Sequence, residues 1–535
     1  MSSKERLYLF DTTLRDGAQT QGVDFSVEDK IIIAQTLDRL GVDYIEGGWP
    51  GANPADTEFF ARPKTFKNAT FTAFGMTRRP GRSASNDPGL KTVLDAETPA
   101  VCLVGKSWDF QVKVALGIEL DENIDLISSS IAECAKLGRE PMYDAEHFFD
   151  GYKANPDYAL SCLKAAYEAG ARWVVLCDTN GGTMPHEIGE IVGAVLEHIP
   201  GDHVGIHTHN DTENAVANTL AAVRAGVRQV QGTLNGLGER CGNANIISLI
   251  ATFCLKEPYK SQFETGIDAE ALKSLTSVSR LLDEVLNRAP NRHQPYVGAT
   301  AFAHKGGLHV SAIQKDPSTY EHIEPSLVGN SRTIPVSGQA GRSNLLAQFK
   351  DFGLDIDPKD PKVDRLLEEV KEREYRGYSY DGAPASFELM ARRRLGQVPD
   401  YFEVESFRVQ VERRHNAKGE LISVSDAVVK VVVDGQRLMS VAEGNGPVNS
   451  LDTALRKDLG KYSNYLKDLR LVDFKVRILS TGTEAVTRVH IESTDDSGDH
   501  WFTVGVSPNI VDASFAALLD SITYKLLRSN APAGE

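Results

Sequence analysis

The first 235 residues repeat one unit eight times, a short apolar or β-branched run followed by a stretch with helical periodicity. The runs fall at 7–10, 44–47, 70–74, 100–104, 141–145, 173–177, 204–207 and 229–233. Their starts lie roughly 25 to 40 residues apart, the length that one strand and its helix occupy. Between them, segments such as 27–40, 123–137 and 215–225 place apolar residues three and four apart, as amphipathic helices do. Eight such units in series predict an α/β fold, a closed (β/α)8 TIM barrel. An open doubly wound sheet shares the periodicity and is the competing architecture.

Polar residues gather where these strands end: Asp11, Arg15 with Asp16, Glu46, Glu146, the Asp178-Thr179-Asn180 run, His207 to Asp211, and Asn235. A single charged strand end is simply solvated. Six in one chain argue for a site, because in a barrel they converge on the C-terminal mouth. His207-Thr208-His209 ends the seventh strand, and residues i and i+2 of a strand share a face, so both imidazoles can meet one ion. An H-x-H taken alone is more often a pair of satisfied core histidines. Here Asp16 offers a carboxylate beyond the first strand, and Asn243, in Gly238-Glu239-Arg240-Cys241-Gly242-Asn243-Ala244, offers a neutral oxygen beyond the eighth. Two imidazoles with oxygen donors suit a divalent Lewis acid; magnesium, manganese, zinc and cobalt all fit that donor set.

At 535 residues the chain exceeds one ordinary core. From 238 to 400 the pattern loosens into helical segments, among them 268–286, a Gly/Pro-rich stretch at 288–339 and a charged helix at 363–376. After 400 the grammar becomes long alternating strands, at 402–411, 425–433 and 438–443, before a helix at 448–459. Strands at 474–478, 486–492 and 501–506 precede a second helix at 511–526. Val448-Asn449-Ser450 and Val511-Asp512-Ala513 lie in register, 63 residues apart, which predicts a duplicated α+β unit. The expected domains are a barrel at 1–265, a helical linker region at 266–400 and an α+β domain with an internal repeat at 401–535.

The 74 acidic against 58 basic side chains give a formal net charge of −16, which argues against nucleic acid and anionic membrane as partners. No apolar run approaches the ~20 residues of a membrane span, and the N-terminal residues lack a secretory apolar region. Six cysteines without a close zinc-type pair read as reduced thiols of a cytoplasmic protein. Gly236-Leu237-Gly238 and Gly181-Gly182 are short turns, so nucleotide-type phosphate loops are not indicated.

The motifs Asp11-Thr12-Thr13-Leu14-Arg15-Asp16-Gly17, His207-Thr208-His209-Asn210-Asp211 and Gly238 to Ala244, in that order, resemble those of a family of metal-dependent acyltransferases and lyases. It comprises the isopropylmalate, homocitrate and citramalate synthases, with hydroxymethylglutaryl-CoA lyase a relative. The resemblance spans about residues 5–330, and the region after 400 resembles the synthases' regulatory dimerisation domain. It implies that Asp16, His207 and His209 hold the metal with Asn243 as a fourth contact. It also implies that acetyl-CoA condenses with a 2-oxo acid. Arg15 then polarises the keto group and Thr179 anchors the substrate carboxylate. Glu146 and His309, the latter in His304-Lys305-Gly306-Gly307-Leu308-His309, form the basic dyad, with Tyr320 nearby. In the synthases that histidine arrives from the partner subunit, so a homodimer or higher homo-oligomer is implied. Ser311 stands where many members carry an acid, and His304 serves structure or function equally well.

The pocket is expected to be lined by Phe74, Met76, Leu103 and Asp144, the last on the face of Glu146 and counted among the substrate contacts. The stretches around Glu46 to Pro54, which include Trp49 as a candidate cap, and Tyr143 to Tyr152 are similar to the citramalate branch. That likeness implies pyruvate as the 2-oxo acid and an amino acid, isoleucine, as feedback effector. The other synthases, a lyase and a catalytically silent amino-acid sensor are the alternatives. A regulatory domain speaks against a lyase, and an intact polar set against a silent sensor.

Overall fold

A computed structural model describes residues 4–62, 65–334, 342–354, 356–357, 359–415, 417–457, 459–479 and 485–534. The end of the Gly/Pro-rich stretch, 335–339, lies outside the described residues. The chain divides into two compact units, one of Met1–Phe302 with Ile323–Arg332, the other of Ala303–His322 with Thr333–Glu535.

The first unit is built on eight parallel strands: β1 (Tyr8–Asp11), β2 (Tyr44–Glu46), β3 (Thr70–Met76), β4 (Ala100–Lys106), β5 (Glu140–Glu146), β6 (Trp173–Asp178), β7 (Val204–Thr208) and β8 (Gln229–Gly232). Each pairs with the next, and β1 pairs with β8 from Tyr8↔Gln229 to Asp11↔Gly232. That last ladder closes the barrel and excludes the open sheet. Alternation sorts the side chains into two layers. Phe10, Phe74, Cys102, Met142, Trp173 and Val175 pack inside the barrel, whereas Leu9, Ala73, Val101, Leu103 and Val174 join the core shared with the helices. Leu103 is therefore not a pocket residue. Its neighbour Val104 takes that place, because the side-chain phase of a strand reverses at every residue.

Helix α1 (Val27–Leu40) shows how the surrounding layer is specified. Ser26 and Asp29 form a reciprocal capping box, and Gly41 ends the helix at φ 95°, a left-handed conformation that glycine adopts without strain. Ile33, Ala34, Leu37 and Leu40 form its buried stripe. The segment at 268–286 forms two helices, Ala269–Leu272 and α2 (Leu275–Val285), not one.

The second unit contains two antiparallel sheets. One is β9 (Glu403–His415), β10 (Leu421–Val433) and β11 (Gln436–Gly444); the other is β12 (Arg470–Ile478), β13 (Thr487–Thr494) and β14 (His500–Ser507). Helices α5 (Pro447–Lys457) and α6 (Ile510–Arg528) follow them. Upstream lie α3 (Gly307–Lys315) and α4 (Pro361–Tyr375). The duplication extends to the irregularities, since the first strand of each sheet shifts register near its start, between Val404 and Ser406 and between Leu471 and Asp473. Among the described residues no helix is long and apolar enough to cross a membrane.

Candidate active site

The turn after β1 is drawn tight by the Thr12 carbonyl, which accepts from the backbone N–H groups of Arg15, Asp16 and Gly17 at 3.2, 2.9 and 3.1 Å. This brings the Asp16 carboxylate to His207, in β7, and His209, just beyond its end. Asp16 Oδ2 lies 3.2 Å from His207 Nε2 and 3.8 Å from His209 Nε2, and the two imidazole nitrogens are 3.3 Å apart. The loop after β8 folds back so that Asn243 bridges to His209 and the Ala244 N–H donates to the Thr208 carbonyl at 3.0 Å. Asn243 Nδ2 thereby reaches Asp16 and lies 3.2 Å from His207 Nε2.

All four side chains are buried, and two atoms among them, His209 Nδ1 and Asn243 Oδ1, have no hydrogen-bond partner among the described residues. Donor atoms around an ion held at about 2.1 Å sit about 3.0 to 3.4 Å apart at octahedral or tetrahedral angles, close to the spacings found. Turning the Asn243 amide over exchanges Nδ2 for the unsatisfied Oδ1 and adds a fourth donor. The residues therefore fit a divalent ion.

Electrostatics point the same way. Burial works to raise the Asp16 carboxyl, but Arg15, His207 and His209 hold it well below the usual carboxylate range. Burial and the neighbouring His207 push His209 down to about 3, so it is a neutral donor at any ordinary pH. The tautomer of His207 is set from behind. Its Nδ1 lies 2.8 Å from Gln231 Oε1, while Gln231 Nε2 donates to Asp144 Oδ1 at 3.2 Å. Nε2 is thus left to face the centre, an outer-shell arrangement that also fixes the ring's orientation.

Around this centre runs a cavity of about 580 Å³ lined by Arg15, Asp144, Glu146, Thr179, Trp49 and Phe74, with Asp16, His207 and His209 in its wall. Arg15 makes both ion pairs open to it, at 3.0 Å to Asp16 and 2.7 Å to Glu46, and its guanidinium lies 4.0 Å from the Phe74 ring centroid. Burial opposes its charge, and Glu46, Asp16 and Asp144 outweigh that and hold it firmly protonated. Glu46 is itself pushed up by burial and by Asp144, despite Arg15. Thr179 Oγ1 accepts from the His147 N–H at 2.8 Å, which leaves its proton for a ligand. Trp49 meets Phe74 edge-on, with ring centroids 5.7 Å apart. Asp11 is buried against the Thr13 N–H and hydroxyl and shapes the turn instead of lining the cavity; burial raises it to about 7.

His309 and Tyr320 belong to the second unit, where their rings stack at 4.2 Å and both are exposed. His304, by contrast, is held inward with its Nε2 3.2 Å from the buried Glu321 carboxylate. Lys106 and Arg240, which line the cavity, and Gln231, which lies behind His207, were not singled out by the sequence. Lys106 was hidden because the fourth strand runs to residue 106, two beyond its apolar run. Gln231 was legible as a polar residue two positions from Gln229 on an otherwise apolar strand. Arg240, which clamps Asp211 at 2.7 and 2.9 Å and the Thr179 carbonyl at 2.7 Å, lies in a loop without periodicity.

Comparison with known proteins matches residues 6–279 to the HMGL-like family, 296–377 to the homocitrate synthase post-HMGL domain-like family and 381–526 to the LeuA allosteric (dimerisation) domain. The (R)-citramalate synthase of Aquifex aeolicus is 51% identical over 98% of both chains. That of Geobacter sulfurreducens is 52% identical over 97% of this chain and 98% of its own. The 2-isopropylmalate synthase of Pelotomaculum thermopropionicum covers the same extent at 29%.

Proposed function

The chain belongs to the HMGL-like family and, within it, to the (R)-citramalate synthases, and on that premise we propose how its residues carry the reaction. It is an acyltransferase that condenses acetyl-CoA with pyruvate and water to give (R)-citramalate and CoA. The full-length likeness to (R)-citramalate synthases, far above that to a 2-isopropylmalate synthase, carries this reading.

Asp16, His207 and His209, with Asn243 as the fourth donor, would hold the divalent ion; magnesium or manganese is the assignment here, and zinc or cobalt suits the same atoms. When bound, such an ion supplies a Lewis acid for the 2-oxo group. Arg15 donates to the keto oxygen as negative charge develops there, in a site where burial strengthens the interaction. The Thr179 hydroxyl, its lone pair occupied by the His147 N–H, donates to the substrate carboxylate. Asp144, tied to Gln231, is a polar group in a pocket whose apolar lining includes Trp49, Phe74 and Met76. His309 is assigned as the base that removes the acetyl-CoA methyl proton, oriented by Glu146 and brought by a second copy of the chain, with Tyr320 stacked on it. Hydrolysis of the condensed thioester releases CoA and draws the reaction forward.

The match to an allosteric dimerisation domain supports a homodimer or higher homo-oligomer with an amino-acid effector, taken here as isoleucine. Six cysteines, none in a disulfide, support a reducing compartment, taken here as the cytoplasm. Acetyl-CoA-dependent thiol release with pyruvate, 3-methyl-2-oxobutanoate and 2-oxoglutarate, each with and without millimolar isoleucine, tests the assignment. Pyruvate is expected to give the highest kcat/KM, and isoleucine to lower the rate. A branched substrate that outruns pyruvate overturns the function, and rates indifferent to isoleucine remove the effector.

A further inference from the structure

Condensation through a thioester enolate needs one group that the residues above do not supply. When the methyl proton leaves acetyl-CoA, the C–H pair becomes the C=C bond and the thioester oxygen takes the negative charge. That oxygen is two bonds from the carbon losing its proton, so its stabiliser must stand beside the base. The keto group has Arg15 and the carboxylate has Thr179. The thioester oxygen has nothing.

Among the described residues four cations line the cavity, Arg15, Lys30, Lys106 and Arg240. Lys30 is buried and spends its ammonium on the Leu14 and Gly47 carbonyls, at 3.0 and 3.1 Å, and on Asp56. Arg240 is clamped on Asp211 and the Thr179 carbonyl, and Arg15 stands with Asp16 and Glu46 on the keto side. Lys106 remains. Its ammonium pairs with Glu146 Oε2, its sole hydrogen-bond partner among the described residues, and two of its three N–H groups are left for a ligand. The side chain is 15% exposed, desolvated enough for a strong interaction yet open to the cavity.

The pairing is built in by the fold. Lys106 and Glu146 are register partners at the last positions of β4 and β5. The next residue, Ser107, reinforces the register by donating its hydroxyl to the Glu146 carbonyl at 2.7 Å, and Asn123 holds the Lys106 carbonyl at 2.8 Å.

We propose that Lys106 is a catalytic residue, the electrophile that stabilises the thioester oxygen of acetyl-CoA. This rests on the assignment of Glu146 to the basic dyad. The proton passes to His309, the base of that dyad, and Lys106 donates to the enolate oxygen. The enolate carbon then bonds to the keto carbon, whose oxygen takes the electron pair and then the proton that the base carries. When water attacks the thioester, Lys106 donates to the same oxygen in the tetrahedral adduct. The C–S bond breaks, and the sulfur leaves as CoA with a proton from that water.

Steady-state kinetics of the metal-loaded, full-length enzyme test this, with melting midpoints as a control and Lys106→Gln replacing Lys106→Met should the latter not fold. Lys106→Met is expected to lower kcat by about 100-fold, the scale of losing one oxyanion donor, while KM for pyruvate moves less than about 3-fold. Lys106→Arg should retain more of kcat, and ethylamine should partly restore Lys106→Ala. A kcat within about 3-fold of the parent in Lys106→Met overturns the proposal. So does a KM for pyruvate that rises with kcat kept, which would make Lys106 a carboxylate anchor. Glu146→Gln separates the premises: if it turns over at the parent rate the base assignment fails and takes this proposal with it, whereas if it is slow and Lys106→Met is not, the role of Lys106 alone fails.

Discussion

On the inward faces of β5, β7 and β8 the barrel carries Asp144, His207 and Gln231, each 5% exposed or less. The inward face of β10 in the C-terminal repeat carries Ala427, Val429, Val431 and Val433, equally buried. Both faces follow the same two-residue alternation, and they differ in what is buried. An unsatisfied buried polar atom costs about 1–3 kcal/mol, and the barrel places His209 Nδ1, Asn243 Oδ1 and Glu46 Oε1 within one mouth. The repeat has such atoms too, Ser440 Oγ, Arg456 Nε and His490 Nε2, but singly, on separate elements. A stretch whose apolar alternation is unbroken builds a scaffold. Where charges interrupt it at several strand ends, stability has been given up for chemistry.

The comparison predicts that the two regions respond to different insults. Leu451 in α5 is fully buried in the repeat's core. Leu451→Ala should lower the unfolding free energy by about 2–5 kcal/mol, read by urea denaturation, and leave divalent-ion affinity at the parent value. A loss of ion affinity in this variant would show that repeat and mouth are not separable.

A smaller effect tests the barrel's buried charge. Asp11 is raised by burial to about 7, so between its ordinary value of 3.8 and 7 the folded chain binds the proton and the unfolded chain does not. Its contribution is complete below 3.8, falls as pH rises to about 7, and is level beyond. Relative to Asp11→Asn, the parent should lose up to about 1.4 kcal/mol per pH unit across that window. A flat difference would show that Asp11 is ionised throughout.

Much of this is legible in the sequence alone. All eight barrel strands, and both three-strand-plus-helix modules, lie where apolar period and spacing place them, because periodicity is a local property that packing then confirms. Arg15, Asp16, His207 and His209 were legible because strand ends converge in a barrel, which makes distant residues neighbours by topology alone. Leu103 shows the limit: a continuous apolar run on a strand buried on both faces does not reveal its phase. Lys106 and Arg240 show another, since their significance lies in which carboxylate they face, and only tertiary pairing decides that. His309 was assigned by its motif and Tyr320 by the resemblance, and the stacking of their rings is a contact between residues 11 apart that no helical or strand period anticipates.

Asp16, His207 and His209 are held to grip one cation. Titration of Mn²⁺ into metal-free protein, followed by electron paramagnetic resonance of the free ion, tests it without turnover. One site per chain is predicted in the parent. Asp16→Ala and His207→Ala should lose it, and Gln231→Leu should keep it with affinity about 10–100-fold weaker. Unaltered stoichiometry and affinity in Asp16→Ala and His207→Ala would contradict the account.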